Sequence, residues 1–202
     1  TTGGRFTLNL LWSNSIRIEV GGNGLSGNLA INDGVWHHVA AVYNPSATNK
    51  YSLYIDGTLN IAGNLTVLAN TGTTQNVMIG QRIDGINKFD GAIDEVRIWN
   101  VARTATQILG SMNSEFCVIP SSLKAYYKAN QGTASGTNTG LITLNDNSGN
   151  NNNGTLTNFA LTGASSNWVS GVTLTSGNLT GGTANISGCL PYTTLGNQIL
   201  TS

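Results

Sequence analysis

Two adjacent carboxylates, Asp94 and Glu95, lie in the segment FDGAIDEVRIWN at residues 89–100. Carboxylates at such a place can form the acid–base pair of a glycosidase, bind a metal or serve as structural ion-pair partners. The segment has the pattern of a β-strand, in which neighbouring side chains point to opposite faces. Retaining glycosidases need two carboxyl groups about 5 Å apart on one face, so the pattern argues against a glycan-cleaving enzyme.

The chain is polar but almost uncharged. Of its 202 residues 9% are charged, with nine basic and nine acidic side chains, and 26 are glycine. This balance does not favour nucleic acid or an anionic membrane as a partner. No apolar run approaches the roughly 18 residues of a membrane-spanning helix. Because residue 1 already lies in a strand-like pattern, we expect a piece of a longer protein with neighbouring modules.

Short strand patterns recur along the first hundred residues, at 6–11, 15–20, 35–43, 76–80 and 91–99. YSLYIDGTLNIA (51–62) predicts a hairpin around Asp56-Gly57, because Asp-Gly favours the tight turn between two strands. TATQILGSM (104–112) predicts one or two helical turns with Thr104 as the N-cap. Eight or more short strands with little helix predict two stacked antiparallel sheets of jelly-roll type.

Three stretches carry a family resemblance: DGVWHHVAAVYNPSATNKYSLYIDGTLN (33–60), NVMIGQRIDGINKFDGAIDEVRIWNVARTATQI (76–108), and LKAYYKANQG with DNSGNNNNGTLTNFAL (within 123–161). Together they resemble the laminin-G-like domains of the concanavalin A-like lectin/glucanase superfamily found in bacterial secreted and cell-surface proteins. The resemblance implies an all-β, two-sheet antiparallel jelly-roll sandwich. The third stretch resembles the opening strands of such a domain, although here it follows the closing strand.

This unusual order bears on the domain boundaries. We expect residues 1–171 to form one jelly roll, in which 1–112 match the family core and 123–171 fold back to supply missing strands. LKAYYK should then pair with the closing strand AIDEVRIW. The alternative is that 123–171 begin a second module. Residues 172–202 are expected to be a linker or the start of a further module.

The resemblance also implies a structural calcium ion, held by a carboxylate of the IDE strand and by the loop NDNSGNNNNG (145–154). Calcium binds six to eight oxygen ligands, and Asp94, Asp146 and Asn147 are the side chains that we expect to supply them. The alternative is that Glu95 pairs with Arg97 or Arg82 and that the asparagine-rich stretch is only a loop.

As a function, the resemblance implies a non-catalytic module that binds a glycan or another cell-surface ligand, in a secreted or surface-anchored protein. A structural spacer of an adhesin is the alternative, and a fragment of a glycan-cleaving enzyme is disfavoured by the carboxylate spacing. In related sandwiches ligands bind at rim loops. The most polar loop at that end, RIDGINKF (82–89), offers as candidate ligand-binding residues Arg82, Asp84, Asn87 and Lys88.

Aromatic residues and histidines add weaker expectations. Trp36 and Trp99 should pack between the sheets, whereas Trp12 and Trp168 flank loops, where an exposed indole can stack on a sugar. His37 and His38 are neighbours in a predicted strand, and no ligand spacing supports a metal role for them.

The two cysteines, Cys117 and Cys189, are far apart in sequence and have no histidine nearby. Few lysines and asparagine-rich loops indicate an exported protein, in which a disulfide between them is allowed. Two buried free thiols are the other reading.

Overall fold

The computed structural model describes residues 5–67, 69, 76–82, 85, 88–116, 118–163, 166–172 and 174. The chain forms two compact units, of which unit 1 comprises Thr1–Gly91 and Val101–Met112, and unit 2 comprises Ala92–Asn100 and Asn113–Ser202. Within the described ranges the secondary structure is ten strands, all paired antiparallel, and one short helix. The all-β expectation is therefore confirmed.

Unit 1 contains two three-stranded antiparallel sheets. The first has the order β1-β2-β3 and the second β4-β5-β6. Their strands are β1 (Phe6–Leu10), β2 (Ser15–Val20), β3 (Asn23–Ala30), β4 (Val39–Tyr43), β5 (Tyr51–Ile55) and β6 (Thr58–Gly63).

The core of unit 1 lies between alternate residues of one strand in each sheet. In β2 these are Ile16, Ile18 and Val20, and in β5 they are Tyr51, Leu53 and Ile55. Every second side chain of a strand points to the same face, so both strands bury one apolar row and leave the other row outside. The strand predicted at 15–20 is therefore confirmed.

The hairpin predicted at Asp56-Gly57 is present between β5 and β6. Asp56 has φ +50° and Gly57 has φ +75°, the left-handed pair of dihedral angles that suits the twist of two-residue hairpins. The helix α1 (Ala105–Ser111) begins with Thr104 as its N-cap, in a capping box with Gln107. It packs on this hairpin, because a Cβ atom at Gly57 would lie 2.6 Å from Cδ1 of Leu109.

Three predicted strands are shorter than expected or absent. Residues 76–80 form no strand, and only an isolated antiparallel bridge between Gln81 and Lys88 follows them. Strand β4 begins at Val39, so 35–38 belong to the preceding loop. Strand β7 (Val96–Trp99) begins after both carboxylates of the IDE motif. The argument that a strand places Asp94 and Glu95 on opposite faces therefore does not apply.

Unit 2 contains two strand pairs. Strand β7 pairs antiparallel with β8 (Leu123–Tyr127), in the register that sets Val96 opposite Tyr127. Strand β9 (Thr143–Leu144) pairs with β10 (Gly154–Thr155). The pairing of LKAYYK with the closing strand is thereby confirmed. It stays a prediction that residues 123–171 complete the sandwich of the first hundred residues. The linker expected at 172–202 also stays a prediction, since the structure describes only 172 and 174 of that segment.

In the described part of the chain, α1 is the only helix, and with seven residues it is far too short to cross a bilayer.

Candidate functional site

Three connections of unit 1 meet at one end of its strands. They are the β1–β2 turn (11–14), the loop between β3 and β4 (31–38) and the β5–β6 turn (56–57), and we call them together the rim. Strands β2 and β4 begin at this end, and β1, β3 and β5 finish there. The antiparallel order of the strands thus brings together loops that are distant in sequence.

Backbone hydrogen bonds join neighbouring parts of the rim. The amide of Ile31 donates to the carbonyl of Asn14 at 2.9 Å, which ties the start of the long loop to the first turn. At the other side the amide of Asp56 donates to the carbonyl of His38 at 2.8 Å. Both ends of the 31–38 loop are therefore fixed to the adjacent turns.

The rim exposes two indoles. Trp12, in the β1–β2 turn, is 103% exposed, and Trp36, in the 31–38 loop, is 42% exposed beside Val35 at 63%. The prediction of an exposed Trp12 is confirmed. The prediction that Trp36 packs between the sheets is wrong, because its strand begins only at Val39. Trp168, which flanks a loop and was a candidate for exposure, is buried at 6% and packs edge-on against Phe159.

His37 lies between two carboxylates of the rim. Its Nδ1 is 2.8 Å from Oδ2 of Asp56, and its Nε2 is 3.1 Å from Oδ1 and 3.2 Å from Oδ2 of Asp33. Both carboxylates also accept backbone N–H groups, Asp33 from Val35 and Asp56 from His38. The carboxylates are about half exposed, whereas the imidazole retains 14% of its surface.

This arrangement favours the protonated imidazole. The hydrogen bond with Asp56 raises the pKa of His37, burial opposes the rise, and the bond with Asp33 adds to it. The Val35 amide and then the His37 ring lower the pKa of Asp33. An imidazole between two carboxylates can donate from both nitrogens only when it carries a positive charge.

In unit 2, the carboxylate proposed as a calcium ligand is already surrounded by donors. Oδ1 of Asp146 accepts from the amides of Tyr126 and Ser148, both at 2.9 Å. Oδ2 accepts from the Ser148 hydroxyl at 2.8 Å and the Asn152 amide at 2.9 Å. Burial alone would raise the pKa of Asp146, but these bonds outweigh it and lower the pKa. Four donors occupy the four lone-pair positions of the group.

The other two proposed calcium ligands do not add a coordinating set. Asn147 donates its amide to the Tyr126 carbonyl at 2.7 Å. Asp94 accepts the amides of Glu95 and Val172, each at 2.9 Å. Across the described ranges, no group of three or more His, Cys, Asp or Glu side chains has the arrangement of a metal site. The donor chemistry around Asp146 therefore does not fit a calcium ion, and calcium binding stays a prediction to be tested.

Glu95 is a structural partner rather than an open acid. Its Oε2 accepts from Nη2 of Arg97 and from the hydroxyl of Tyr126, both at 2.6 Å. Arg97 also donates to the carbonyl of Ser114 and lies over the ring of Phe116, 4.8 Å from its centroid. Burial raises the pKa of Glu95, and the bonds with Tyr126 and Arg97 oppose the rise. The pairing of Glu95 with Arg97, which the sequence offered as the alternative to a metal role, is thus present.

Residues 1–109 match the family model described as the concanavalin A-like lectin/glucanases superfamily, of the laminin G type. This match spans more than half of the chain. The chain belongs to this superfamily.

A solved structure shares the fold of this chain. It is the crystal structure of a "putative carbohydrate binding protein" from Bacteroides ovatus, which is 24% identical and superposes with a TM-score of 0.61. The similarity covers 77% of this chain and 45% of the other, so the chain spans less than half of that protein's length.

The structure describes only part of the loop at 82–89 that was predicted to bind a ligand. Arg82 accepts the amide of Gly85 through its carbonyl, and Lys88 forms the bridge with Gln81. Asp84 and Asn87 lie outside the described residues, as do both cysteines, Cys117 and Cys189. Ligand binding by this loop and the disulfide stay predictions.

Sequence reasoning missed the Asp33–His37–Asp56 cluster. The signal was present: Asp33 lies four residues before His37 and is followed by a glycine, and Asp56 occupies the hairpin turn. Aspartates before glycine are usually turn residues, and these two are turn residues that also bind the histidine.

Proposed function

We propose that this chain is a non-catalytic glycan-binding module whose binding surface is the rim of unit 1. The observation that carries the proposal is the exposure of two indoles, Trp12 and Trp36, on adjacent connections of the rim. Such exposure contributes nothing to the core, and tryptophan is enriched at interfaces because its ring is apolar and its N–H is polar. The fold family and the description of the Bacteroides ovatus protein support the same reading.

The chemistry of the rim suits a neutral sugar. The apolar C–H face of a pyranose ring packs well on an indole, and the exposed carboxylates of Asp33 and Asp56 can accept hydrogen bonds from its hydroxyl groups. Even with His37 protonated, the three groups carry a net charge of about −1, so an acidic sugar would be repelled. We therefore expect neutral hexose-containing glycans to bind in preference to uronic or sialic acids.

The absence of catalysis is part of the proposal. At the rim, the space between the two carboxylates is filled by the His37 ring, where a glycosidase needs room for the sugar and the water. In unit 2, Glu95 is held by Arg97 and Tyr126. We further propose that the module belongs to a secreted or surface-anchored protein and presents its rim to glycans outside the cell.

A glycan array followed by calorimetry tests this function. Trp12→Ala should weaken binding by about fivefold or more, which corresponds to about 1 kcal/mol of lost aromatic contact. Phe89→Ala is the matched control, since Phe89 is exposed to 41%, nearly as much as Trp36, but lies outside the rim. We expect that control to bind like the wild type.

Three outcomes would count against the proposal. Binding that survives Trp12→Ala but is lost in Lys88→Ala would move the site to the 82–89 loop. Release of reducing sugar would show an enzyme. No binding to any glycan would leave the structural spacer of an adhesin as the better function.

A further inference from the structure

The 31–38 loop carries one of the two rim indoles, and the two ion pairs of His37 help to anchor it. We propose that His37 is a pH-sensitive latch, whose positive charge holds the Trp36 part of the loop in place and whose deprotonation releases it. The effect on ligand affinity rests on the proposed function, whereas the latch itself does not.

The geometry defines which half of the latch opens. A neutral imidazole has one N–H donor and one acceptor nitrogen. The contact of Nδ1 with Asp56 is the shorter one, at 2.8 Å, and Asp56 is held in addition by the backbone of His38. The remaining proton therefore stays on Nδ1. Nε2 then presents a lone pair to the carboxylate of Asp33, and that contact becomes repulsive.

The release is confined to residues 33–36, because only the contact of His37 with Asp33 is lost. Residues 33–36 lose their side-chain anchor, while His38 and β4 remain bonded to the β5–β6 turn through Asp56. Trp36 and Val35 lie in the freed part, where both are already exposed. The latch therefore changes the order of the loop that carries Trp36 and leaves the core untouched.

Among the described residues, the charged groups that shift the pKa of His37 are two carboxylates on two elements. Asp33 belongs to its own loop and Asp56 to the hairpin turn. The helix α1 contacts that turn at Gly57, and it has no charged side chain between Ala105 and Ser111. His38, the other titratable residue of the loop, offers its backbone N–H to Asp56.

The sign of the response follows from the direction of the shift. The pKa of His37 is raised in the folded protein above the value of about 6.5 that an unfolded histidine has. The latch is therefore fully closed below about pH 6.5 and opens as the pH rises through the raised value.

The test is NMR relaxation of the full chain across the titration of the His37 ring. Backbone order parameters of residues 33–36 should fall as His37 loses its proton, while those of 38–43 stay constant as an internal control. A His37 pKa at or below the unfolded value, or constant order in 33–36, would overturn the latch.

Asp33→Asn is the decisive variant, because Asp33 is exposed and the change keeps its shape. The amide Oδ1 can still accept the Val35 N–H, and the new N–H₂ group can donate to the lone pair of neutral Nε2. Residues 33–36 should then stay ordered when His37 is neutral, and the loss of order at high pH should disappear. An unchanged loss of order in this variant would refute the assignment of Asp33 as the releasing end.

Affinity measurements separate the latch from the proposed function. For a glycan that binds the rim, we expect affinity to fall by about fivefold as His37 deprotonates. Asp33→Asn can change the affinity itself, because Asp33 is a proposed sugar contact, but we expect its affinity to stay constant over the same pH range. If order changes with pH and affinity does not, the latch does not regulate binding. If no glycan binds at any pH and the loop still loosens, the latch stands and the proposed function fails.

Discussion

Oδ2 of Asp56 lies 2.8 Å from Nδ1 of His37, although the two residues are 19 positions apart. One is the first residue of the hairpin turn and the other precedes strand β4. Two further hydrogen bonds join the same segments. The amide of His38 donates to the carboxylate of Asp56, and the amide of Asp56 donates to the carbonyl of His38. These contacts join a turn that the sequence predicts well to a histidine whose position the sequence did not predict.

We expect the two carboxylates to contribute unequally to the protonation of His37. Asp56→Asn should lower the pKa of His37 more than Asp33→Asn does, because the hydrogen bond with Asp56 is the main cause of the rise. Asparagine tolerates the positive φ of this position and forms the same tight turn with a following glycine, so the hairpin should persist. An NMR titration of the imidazole measures both shifts, and an equal or opposite order would contradict the assignment.

Features of this chain that depend on local sequence could be predicted. The Asp56-Gly57 turn needs only two residues that accept positive φ, and the capping box needs only Thr104 and Gln107 at their spacing. The inward face of β2 follows from alternation within six residues. Each of these signals lies within one element, so no knowledge of the rest of the chain was required.

Features that depend on distant contacts could not be predicted. Trp168 is buried because its indole lies against Gly132, which has no side chain to keep it away. The two residues are 36 positions apart, and nothing in the sequence indicates that they are in contact. Glu95 has φ +54°, which breaks the alternation assumed for a strand. The rim itself is a product of strand order. Its three connections are spread over the 47 residues from 11 to 57, so spacing along the chain does not reveal that they meet.

Gly57 should tolerate alanine poorly. The substitution places a Cβ atom 2.6 Å from Cδ1 of Leu109 at a residue with φ +75°. Gly34→Ala is the matched control, since Gly34 has φ +85° and no atom within 4 Å of the added Cβ. The control isolates the backbone strain, about 1–2 kcal/mol, and Gly57→Ala should cost about 1 kcal/mol more. Urea unfolding of both variants measures the difference, and equal losses would show that α1 yields freely.

Chelation should leave the thermal stability of the protein unchanged. Asp146 has its lone pairs occupied by protein donors, so the 145–154 loop has no need of a cation to hold it. EDTA and added calcium should give the same melting temperature in calorimetry. A drop on chelation would restore the calcium site, because a ligand that binds only the folded state stabilises it.

The same carboxylate should matter for stability in its own right. Asp146→Ala leaves the amides of Tyr126, Ser148 and Asn152 without their acceptor, and we expect a loss of about 3 kcal/mol. The contribution should also depend on pH. Because the pKa of Asp146 is lowered in the folded protein, its stabilisation is present above about pH 3.9 and is lost as the pH falls through the folded value. Denaturation of wild type and variant at pH 6 and in acid should therefore show the difference between them shrinking.

The ion pair of Arg97 with Glu95 should be worth far more to folding than that of Lys128 with Glu115. Both have a closest N–O distance of 2.6 Å, but the first pair retains 8% and 10% of its side-chain surface and the second 21% and 14%. Arg97→Met leaves Glu95 buried and charged without its cation and also removes the donor to Ser114, so we expect a loss of about 3 kcal/mol or more.

Lys128→Met is the comparison, with an expected loss of about 1 kcal/mol or less, since water and Asn130 still reach Glu115. A double variant, Glu95→Leu with Arg97→Met, separates the value of the pair from the cost of an abandoned charge. Two apolar side chains leave no charge unpaired, so the double variant should unfold at a higher urea concentration than Arg97→Met alone. If the double variant is the less stable of the two, the hydrogen bond from Tyr126 to Glu95 contributes more than the burial of the charge costs.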